Sequence, residues 1–211
     1  MKSESMALKA YTELRRKVLT IQVSPAMRLK EDFWAKKLGV SRMAVREALT
    51  RLLGERLVML GVKGGYFVTS LTNEDIAQIR DLREILELGA LTLACKKITK
   101  EQIAKLEKIC ASFSSMVEQG FLAGASEADL KFHETLMECS GNEKLLQTYL
   151  SSHIPLFHQQ LTKNTHTDND YELTDKEHRS ILEALKNRNA ALAMQNMRAH
   201  FARGATLIKA D

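Results

Sequence analysis

The chain has 211 residues and a formal net charge of +5, with 45% hydrophobic and 27% charged residues. This composition excludes a disordered protein, and the length favours two domains over one. Because the three cysteines are widely spaced and neither a signal peptide nor an uncharged apolar run of about 18 residues is visible, we expect a cytoplasmic protein without disulfides or a membrane span.

The positive charge is concentrated in the first third of the chain. Residues 1–70 contain 14 lysines and arginines against 6 acidic residues, whereas residues 71–211 contain 17 against 20. A basic segment joined to a slightly acidic one is typical of a nucleic-acid-binding domain attached to a second domain. We therefore predict a DNA-binding domain at 1–70 and a second domain at 71–211, although a basic surface without a nucleic-acid role is the alternative that charge leaves open.

Apolar spacing predicts three helices before residue 55. The first ends before Ser24 and Pro25. The second runs over about 31–38 and is expected to bury Phe33, Trp34 and Leu38. A turn at Gly39 follows, and Ser41 is the expected N-cap of the third helix.

The spacing then changes to that of a β-hairpin. Two β-rich runs, 57–60 and 66–68, flank the segment 61–65, whose glycines fit a tip with positive φ angles. Helix, helix, turn, helix and hairpin is the element order of a winged helix-turn-helix.

From Thr72 onward the pattern is helical throughout. Four pairs with capping-box spacing are expected to mark helix starts: Thr72 with Asp75, Thr99 with Gln102, Ser126 with Asp129 and Thr174 with Glu177. One apolar stripe is expected to run from Leu146 to Leu161. The predicted fold class is therefore mainly α, with an N-terminal winged helix-turn-helix, a short linker near 70–73 and a C-terminal antiparallel bundle of about six helices.

The third predicted helix carries the residues best suited to read DNA. Arg42 and Arg46 lie off its apolar stripe, and arginine can bond guanine O6 and N7 bidentately, so these two are the expected base readers. Ser41 and the free amides of the first turn would hold a phosphate. The remaining candidates for DNA binding lie on the same helix or at the hairpin tip: Met43, Arg51, Lys63, Gly64 and Gly65. For any single arginine, an ordinary surface charge is the alternative.

The run from Pro25 to Leu49 contains Leu38-Gly39-Val40-Ser41-Arg42 and Val45-Arg46-Glu47-Ala48-Leu49. It resembles the N-terminal motif of the GntR family of bacterial regulators, Leu-Gly-Val-Ser-Arg-Thr-Pro-Val-Arg-Glu-Ala-Leu. The chain departs from that motif at four positions. Met43 and Ala44 stand where Thr-Pro is usual, and Ile21 and Ala26 replace glycines that are usual before the second helix. The missing threonine hydroxyl removes one expected DNA contact, so the operator sequence of the family is not carried over.

Four polar residues on three predicted helices are expected to face the interior of the second domain. Asp129 and His133 are four residues apart and share one helix face, while His178 and His200 each belong to an apolar stripe of a later helix. One carboxylate and three imidazoles suit a divalent ion with open coordination positions, zinc first and nickel or manganese as alternatives. Separate core histidines, with Asp129 serving in a cap begun by Ser126, are the alternative interpretation.

The segments Asp129-Leu130-Lys131-Phe132-His133-Glu134-Thr135-Leu136 and Glu177-His178-Arg179-Ser180-Ile181, with the later His200-Phe201, resemble the FCD ligand-binding domain of the FadR subfamily. The resemblance implies that Asp129, His133, His178 and His200 ligate a divalent cation and that a small organic acid fills the open positions. With all four positions present, a fatty-acyl effector is not expected. Arg83 lies where the family often has a residue near its pocket, so we expect it to bind the effector carboxylate, with a surface ion pair to Glu87 as the alternative.

These features together predict a repressor or activator of transcription. It would bind double-stranded operator DNA as a homodimer, and a carboxylate effector bound at the metal would change its affinity for DNA. A metal-dependent hydrolase using the Asp-His₃ centre is the alternative from another class. A DNA-binding protein with a purely structural metal is a third possibility. We expect His153, His158 and His166 to be structural or surface groups.

Overall fold

The computed structural model describes residues 5–157 and 168–207 of the chain. The helices are α1 Met6–Leu19, α2 Glu31–Leu38, α3 Arg42–Gly54, α4 Asn73–Lys97, α5 Lys100–Glu118, α6 Leu122–Cys139, α7 Glu143–Ser151, α8 Asp168–Lys186 and α9 Ala190–Leu207, and the strands are β1 Arg28–Leu29, β2 Val58–Leu60 and β3 Tyr66–Val68. The predicted fold class is confirmed. The expectations for Leu161, His158 and His166 concern residues outside the described ranges. None of the described helices has the length and apolarity that a membrane span requires.

Local sequence signals determine where α2 and α3 end and begin. Gly39 ends α2 with φ 64°, a left-handed conformation that glycine adopts without strain. Ser41 then caps α3 as predicted, because its side chain accepts a hydrogen bond of 3.1 Å from the backbone N–H of Ala44. The inward face of α3 packs on α1, where Leu49 and Leu14 are fully buried in one apolar cluster.

The prediction that Phe33 is buried is wrong. Its neighbour Trp34 is 4% exposed and takes the inward position, whereas Phe33 is 56% exposed. Successive side chains on a helix point about 100° apart, and the face of α2 that packs against the core is occupied by Trp34 and Ala35, so Phe33 points toward solvent. The Phe33 ring instead lies edge-on to Trp34, and the ammonium of Lys37 lies 5.5 Å from its centroid.

The predicted hairpin forms the larger part of a three-stranded antiparallel sheet. The strand order is β1-β3-β2, so β3 is central, and Met59 pairs with Phe67 across the hairpin. Gly64 and Gly65 have φ angles of 79° and 88°, as the turn requires. The pattern analysis missed β1, since two residues are too short to show a strand period.

Two of the four predicted helix starts are confirmed and two are wrong. Thr72 and Thr99 begin α4 and α5 with complete capping boxes. Ser126 instead lies inside α6, where its hydroxyl donates to the Leu122 carbonyl at 3.0 Å. Thr174 lies inside α8 and donates to the carbonyl four residues earlier, also at 3.0 Å. A hydroxyl residue that bonds back to the preceding turn can also be followed by an acidic residue three positions later. The sequence spacing therefore does not distinguish it from a helix cap.

The expected apolar stripe from Leu146 onward is interrupted. α7 ends at Ser151, and His153 has a φ angle of 65°, which breaks the helical path before it resumes at 154–157. This break turns Leu156 toward the N-terminal domain. The Leu156 side chain is 3% exposed and belongs to the same apolar cluster as Leu14 and Leu49, so the two halves of the chain share part of one core.

Candidate functional site

Asp129 and His133 on α6, His178 on α8 and His200 on α9 come together in the interior of the C-terminal bundle. All four are buried, and one ligand atom from each lies within 4.8 Å of the others. The Nε2 atoms of His178 and His133 lie 3.2 Å and 3.8 Å from Asp129 Oδ1. Two atoms that ligate one ion through bonds of about 2.1 Å can be at most about 4.2 Å apart. The spread of the cluster, defined here as these four residues, is slightly wider than that limit, so small side-chain movements would bring all four atoms onto one ion.

The position of Asp129 within α6 removes the capping alternative for it. α6 begins at Leu122, so Asp129 lies in the second turn and has no first-turn amide to cap. Because His133 follows four residues later, both side chains leave the same face of the helix. That face points toward α4, α8 and α9, which explains why the spacing could identify the pair.

Two carboxylates, the buried Glu87 and the partly buried Glu177, orient two histidines of the cluster, and the sequence analysis did not identify them in this role. His133 Nδ1 lies 2.6 Å from Glu87 Oε2, and His200 Nδ1 lies 2.7 Å from Glu177 Oε2. A carboxylate can only accept a hydrogen bond, so each Nδ1 carries the proton and each Nε2 presents a lone pair, which in His133 faces Arg83 Nη2 at 3.1 Å. Both imidazoles are thus held in the tautomer that ligates a metal through Nε2.

The ionisation of these groups also suits a cation. Burial raises the pKa of Glu177, but hydrogen bonds from His200 and Arg203 outweigh it and bring that pKa to about 2. Burial lowers the pKa of His200 despite the hydrogen bond to Glu177, which favours the neutral imidazole. Outside the cluster Glu177 is therefore an anion, and within the cluster the neutral form of the His200 ring is favoured.

His178 carries an unsatisfied polar atom. Its buried Nε2 makes no hydrogen bond to any described residue, although Asp129 Oδ1 is 3.2 Å away. The ring stacks on Phe132 with centroids 4.0 Å apart, which fixes its orientation. An unsatisfied buried nitrogen costs about 1–3 kcal/mol, and a ligated ion would remove that cost. The donor set and its geometry fit a divalent metal.

Arg83 lies beside the cluster, in the interior and not on the surface. Its Nε donates to Glu87 Oε1 at 2.7 Å, and both side chains are almost completely buried. Its Nη2 lies 3.1 Å from His133 Nε2, and its guanidinium lies 4.6 Å from the Phe201 ring centroid. The expected i,i+4 pair with Glu87 therefore exists, but it is part of the site.

Among the candidate DNA-binding residues, Ser41 is the N-cap of α3, and Arg42, Met43 and Arg46 lie on its N-terminal half. Apart from Ser41, which caps the helix, they extend their side chains into solvent. The arginines are paired with acidic residues at the start of α2: Arg42 with Asp32 at 2.7 Å and Arg46 with Glu31 at 2.9 Å. Lys63, Gly64 and Gly65 lie at the hairpin tip, where the neighbouring Val62 is fully exposed.

Arg51 has a different environment from the other arginines of α3. It lies in the last turn, and its guanidinium carbon is 3.7 Å from the centroid of the Tyr11 ring on α1. Its Nε is 3.9 Å from Glu55. A DNA contact by Arg51 stays a prediction, but its observed contacts join α3 to α1.

A network between the domains was not visible in the sequence. Arg15 on α1 bonds Glu55 at 3.0 Å, and it also bonds Glu134 on α6. Tyr11 donates a hydrogen bond to Glu55. These residues line a cleft of about 470 Å³ between α1, the end of α3 and α6. Because Arg15 and Glu134 are 119 positions apart, no local pattern could indicate their contact.

Comparison with known proteins identifies both halves of the chain. Residues 6–68 match the family of bacterial regulatory proteins named gntR, and residues 78–203 match the FCD domain. The HTH-type transcriptional regulator YdhC of Bacillus subtilis is 31% identical over 92% of this chain and 87% of that protein. The gluconate operon transcriptional repressor of the same species is 26% identical over 93% and 82%. The solved structure of E. coli McbR/YncC has the same fold, with a TM-score of 0.81, 20% identity and 97% coverage of both chains.

Proposed function

The chain belongs to the GntR family of bacterial regulatory proteins, and from that premise we propose that a small carboxylate effector, bound at a divalent metal in its FCD domain, controls the affinity of this DNA-binding transcription regulator for its operator. The proposal rests on one observation: the buried side chains of Asp129, His133, His178 and His200 come together beside Arg83. The matched families and the named relatives are transcriptional regulators and not enzymes, so the hydrolase alternative is set aside.

The four cluster residues would hold the metal through one carboxylate oxygen and three Nε2 atoms. Glu87 and Glu177 support this role because they keep the Nδ1 proton of His133 and His200 turned away from the ion. Nitrogen and oxygen donors of this kind suit zinc first, with nickel or manganese as alternatives. The metal, when bound, would supply a positive centre with open positions for an oxygen ligand.

Arg83 would bind the other oxygen of a carboxylate effector. Its guanidinium is fixed on one edge by Glu87, which leaves N–H groups on the opposite edge beside the cluster. In a carboxylate placed between a metal and a guanidinium, each of the two oxygens faces a positive charge. Short, anionic organic acids fit such a site better than long acyl chains.

Arg42 and Arg46 would contact base edges in the major groove, with Ser41 and the first amides of α3 on a phosphate. Lys63, Gly64 and Gly65 at the hairpin tip would reach the neighbouring minor groove, because glycine permits a close backbone approach. A homodimer would present two such helices to the half-sites of a palindrome.

The salt bridge from Arg15 to Glu134 supports communication between the domains. Glu134 directly follows His133, and Glu55 directly follows α3, so a small movement of α6 would act on the end of the recognition helix. Coupling of about 1–3 kcal/mol between two sites is typical of allosteric proteins. In this scheme effector binding changes the relative populations of two arrangements of α1 and α6.

Metal analysis and DNA binding on the purified protein test the proposal. The protein as purified is expected to contain one divalent metal per chain and to shift DNA from the region upstream of its own gene. A panel of small organic acids should change that shift for zinc-loaded protein and leave it unchanged after treatment with EDTA.

The matched variants are His178→Asn and His153→Asn, since His153 lies in the same domain outside the cluster. His178→Asn should lose stoichiometric metal and the acid response, and His153→Asn should keep both. Full metal content in folded His178→Asn, or an acid response that survives metal removal, would contradict the proposal.

A further inference from the structure

Glu31, the first residue of α2, bonds Arg46 of α3 with both carboxylate oxygens, and its Oε2 also lies 3.9 Å from Arg42 Nη2. Its Oε1 accepts from Arg46 Nε and its Oε2 from Arg46 Nη2, each at 2.9 Å. The Glu31 side chain is 18% exposed, whereas Asp32, which pairs with Arg42 through a single oxygen, is 72% exposed. The Glu31 contact is therefore the more enclosed and the more directional of the two.

The contact leaves the far edge of the guanidinium available. Of the five N–H groups of arginine, Glu31 accepts from the one on Nε and from one on Nη2. The remaining three, two on Nη1 and one on Nη2, bond no described residue and belong to an exposed side chain. The Nη1 and Nη2 edge is one of the two arginine edges that can bond guanine O6 and N7 together. A carboxylate on one edge and a guanine on the other are compatible in a single plane.

The pair also changes what Arg46 contributes to non-specific binding. A phosphate attracts a free guanidinium from any direction, but beside Glu31 the net charge of the pair is zero. The hydrogen bond to Glu31 raises the pKa of Arg46, so the arginine stays charged. Fixing the side chain before DNA arrives removes part of the ordering cost of binding.

We infer that Glu31 is a specificity-determining residue that positions Arg46 for guanine and weakens its attraction to phosphates. This inference rests on the proposed role of Arg46 in base reading. A purely structural role is the competing explanation, because an acidic residue in the first turn of α2 also stabilises the helix dipole. A purely structural role predicts that replacing Glu31 lowers the stability of the protein and leaves its DNA sequence preference unchanged.

The experiment begins with the DNA that the wild-type protein selects from a random duplex library. Dissociation constants are then measured for that duplex, for the duplex with single guanines replaced by adenine, and for random DNA, at several salt concentrations. Glu31→Gln should bind random DNA more tightly, with a salt slope steeper by about 0.9, which corresponds to one further phosphate contact. Its ratio of specific to random affinity should fall about 5- to 10-fold, mostly at one guanine.

Glu47→Gln is the charge-matched control, since Glu47 is exposed on α3 and has no ion pair among the described residues. It should raise both affinities together and leave their ratio unchanged. Glu31→Asp keeps the charge but cannot reach both nitrogens, so it should lower specific affinity without changing the salt slope. Folding is checked for each variant by thermal unfolding.

An unchanged specificity ratio in folded Glu31→Gln, or an equal fall in Glu47→Gln, would overturn the inference while leaving the regulator function intact. If the wild-type protein selects no sequence, the proposed function itself fails. If Arg46→Ala retains full specificity, the role of Arg46 fails, and the role of Glu31 fails with it.

Discussion

Arg15 on α1 bonds Glu134 on α6, the residue that directly follows His133 of the cluster. Because the same guanidinium also bonds Glu55 at the end of α3, one side chain joins the recognition helix to the helix that carries two of the four candidate metal ligands. Both members of the Arg15–Glu134 pair are largely buried, with exposed fractions of 18% and 9%.

A double-mutant cycle with Arg15→Met and Glu134→Gln should give a coupling of about 1–3 kcal/mol in the free energy of unfolding, because the pair is screened only weakly by solvent. The measurement is urea denaturation followed by circular dichroism. The Arg16–Glu13 pair on the same helix is more exposed and should couple by less than about 0.5 kcal/mol. Equal coupling in the two cycles would mean that the contact between the domains is no stronger than a surface pair.

Glu87→Gln and Glu177→Gln should each lower the affinity for zinc by about 10- to 100-fold. An amide can turn its NH₂ toward the imidazole and favour the wrong tautomer, whereas the carboxylate holds the proton on Nδ1. Competition with a chromophoric chelator measures the affinity. Glu172→Gln on the exposed face of α8 is the control and should bind zinc like the wild type. Unchanged zinc affinity in both variants would remove the two carboxylates from the metal site.

Ala26→Gly should raise the free energy of unfolding by about 0.3–1 kcal/mol. Ala26 is exposed and has a φ angle of 61°, so its Cβ causes strain that exceeds the entropy gained by an unfolded glycine. The same substitution at the exposed helix residue Ala111 should lower stability by about 0.5–1 kcal/mol. Thermal and urea unfolding measure both. A loss of stability at both positions would show that the backbone at Ala26 is not strained.

The contribution of Tyr11 to stability should disappear at high pH. Burial first, and then the hydrogen bond to Glu55, raise the pKa of Tyr11 to about 12 from an unfolded value near 10. The folded state therefore favours the protonated phenol, and its contribution is complete below pH 10 and is lost as the pH rises toward 12. The difference in unfolding free energy between wild type and Tyr11→Phe should shrink over that interval. A constant difference from pH 8 to pH 11.5 would show that the phenol is not held in this way.

Features that depend on neighbours along the chain were predictable. Gly39 and Ser41 mark the turn before α3 by their own backbone preferences, and Asp129 and His133 share a helix face because they are four residues apart. The motif near the N-terminus also indicated two unusual positions. Ile21, like Ala26, stands where glycine is usual and has a positive φ angle, 57° in its case.

Features that depend on tertiary packing were not predictable. Nothing local distinguishes Ser126, which bonds back inside α6, from a helix cap. Glu87 is separated from His133 by 46 positions, so its role as a proton acceptor follows only from how α4 packs on α6. Phe33 and Trp34 are equally apolar in sequence, and only the orientation of α2 decides which ring enters the core.

The burial of Leu156 against α1 and α3 limits how this regulator can be rebuilt. A hybrid that joins residues 1–70 to another effector-binding domain would leave an apolar gap between the two domains, because the Leu156 side chain that fills it comes from the short helical segment 154–157 after α7. Exchange of operator specificity between such proteins would therefore need either transplantation of that leucine and its turn, or compensating substitutions on α1.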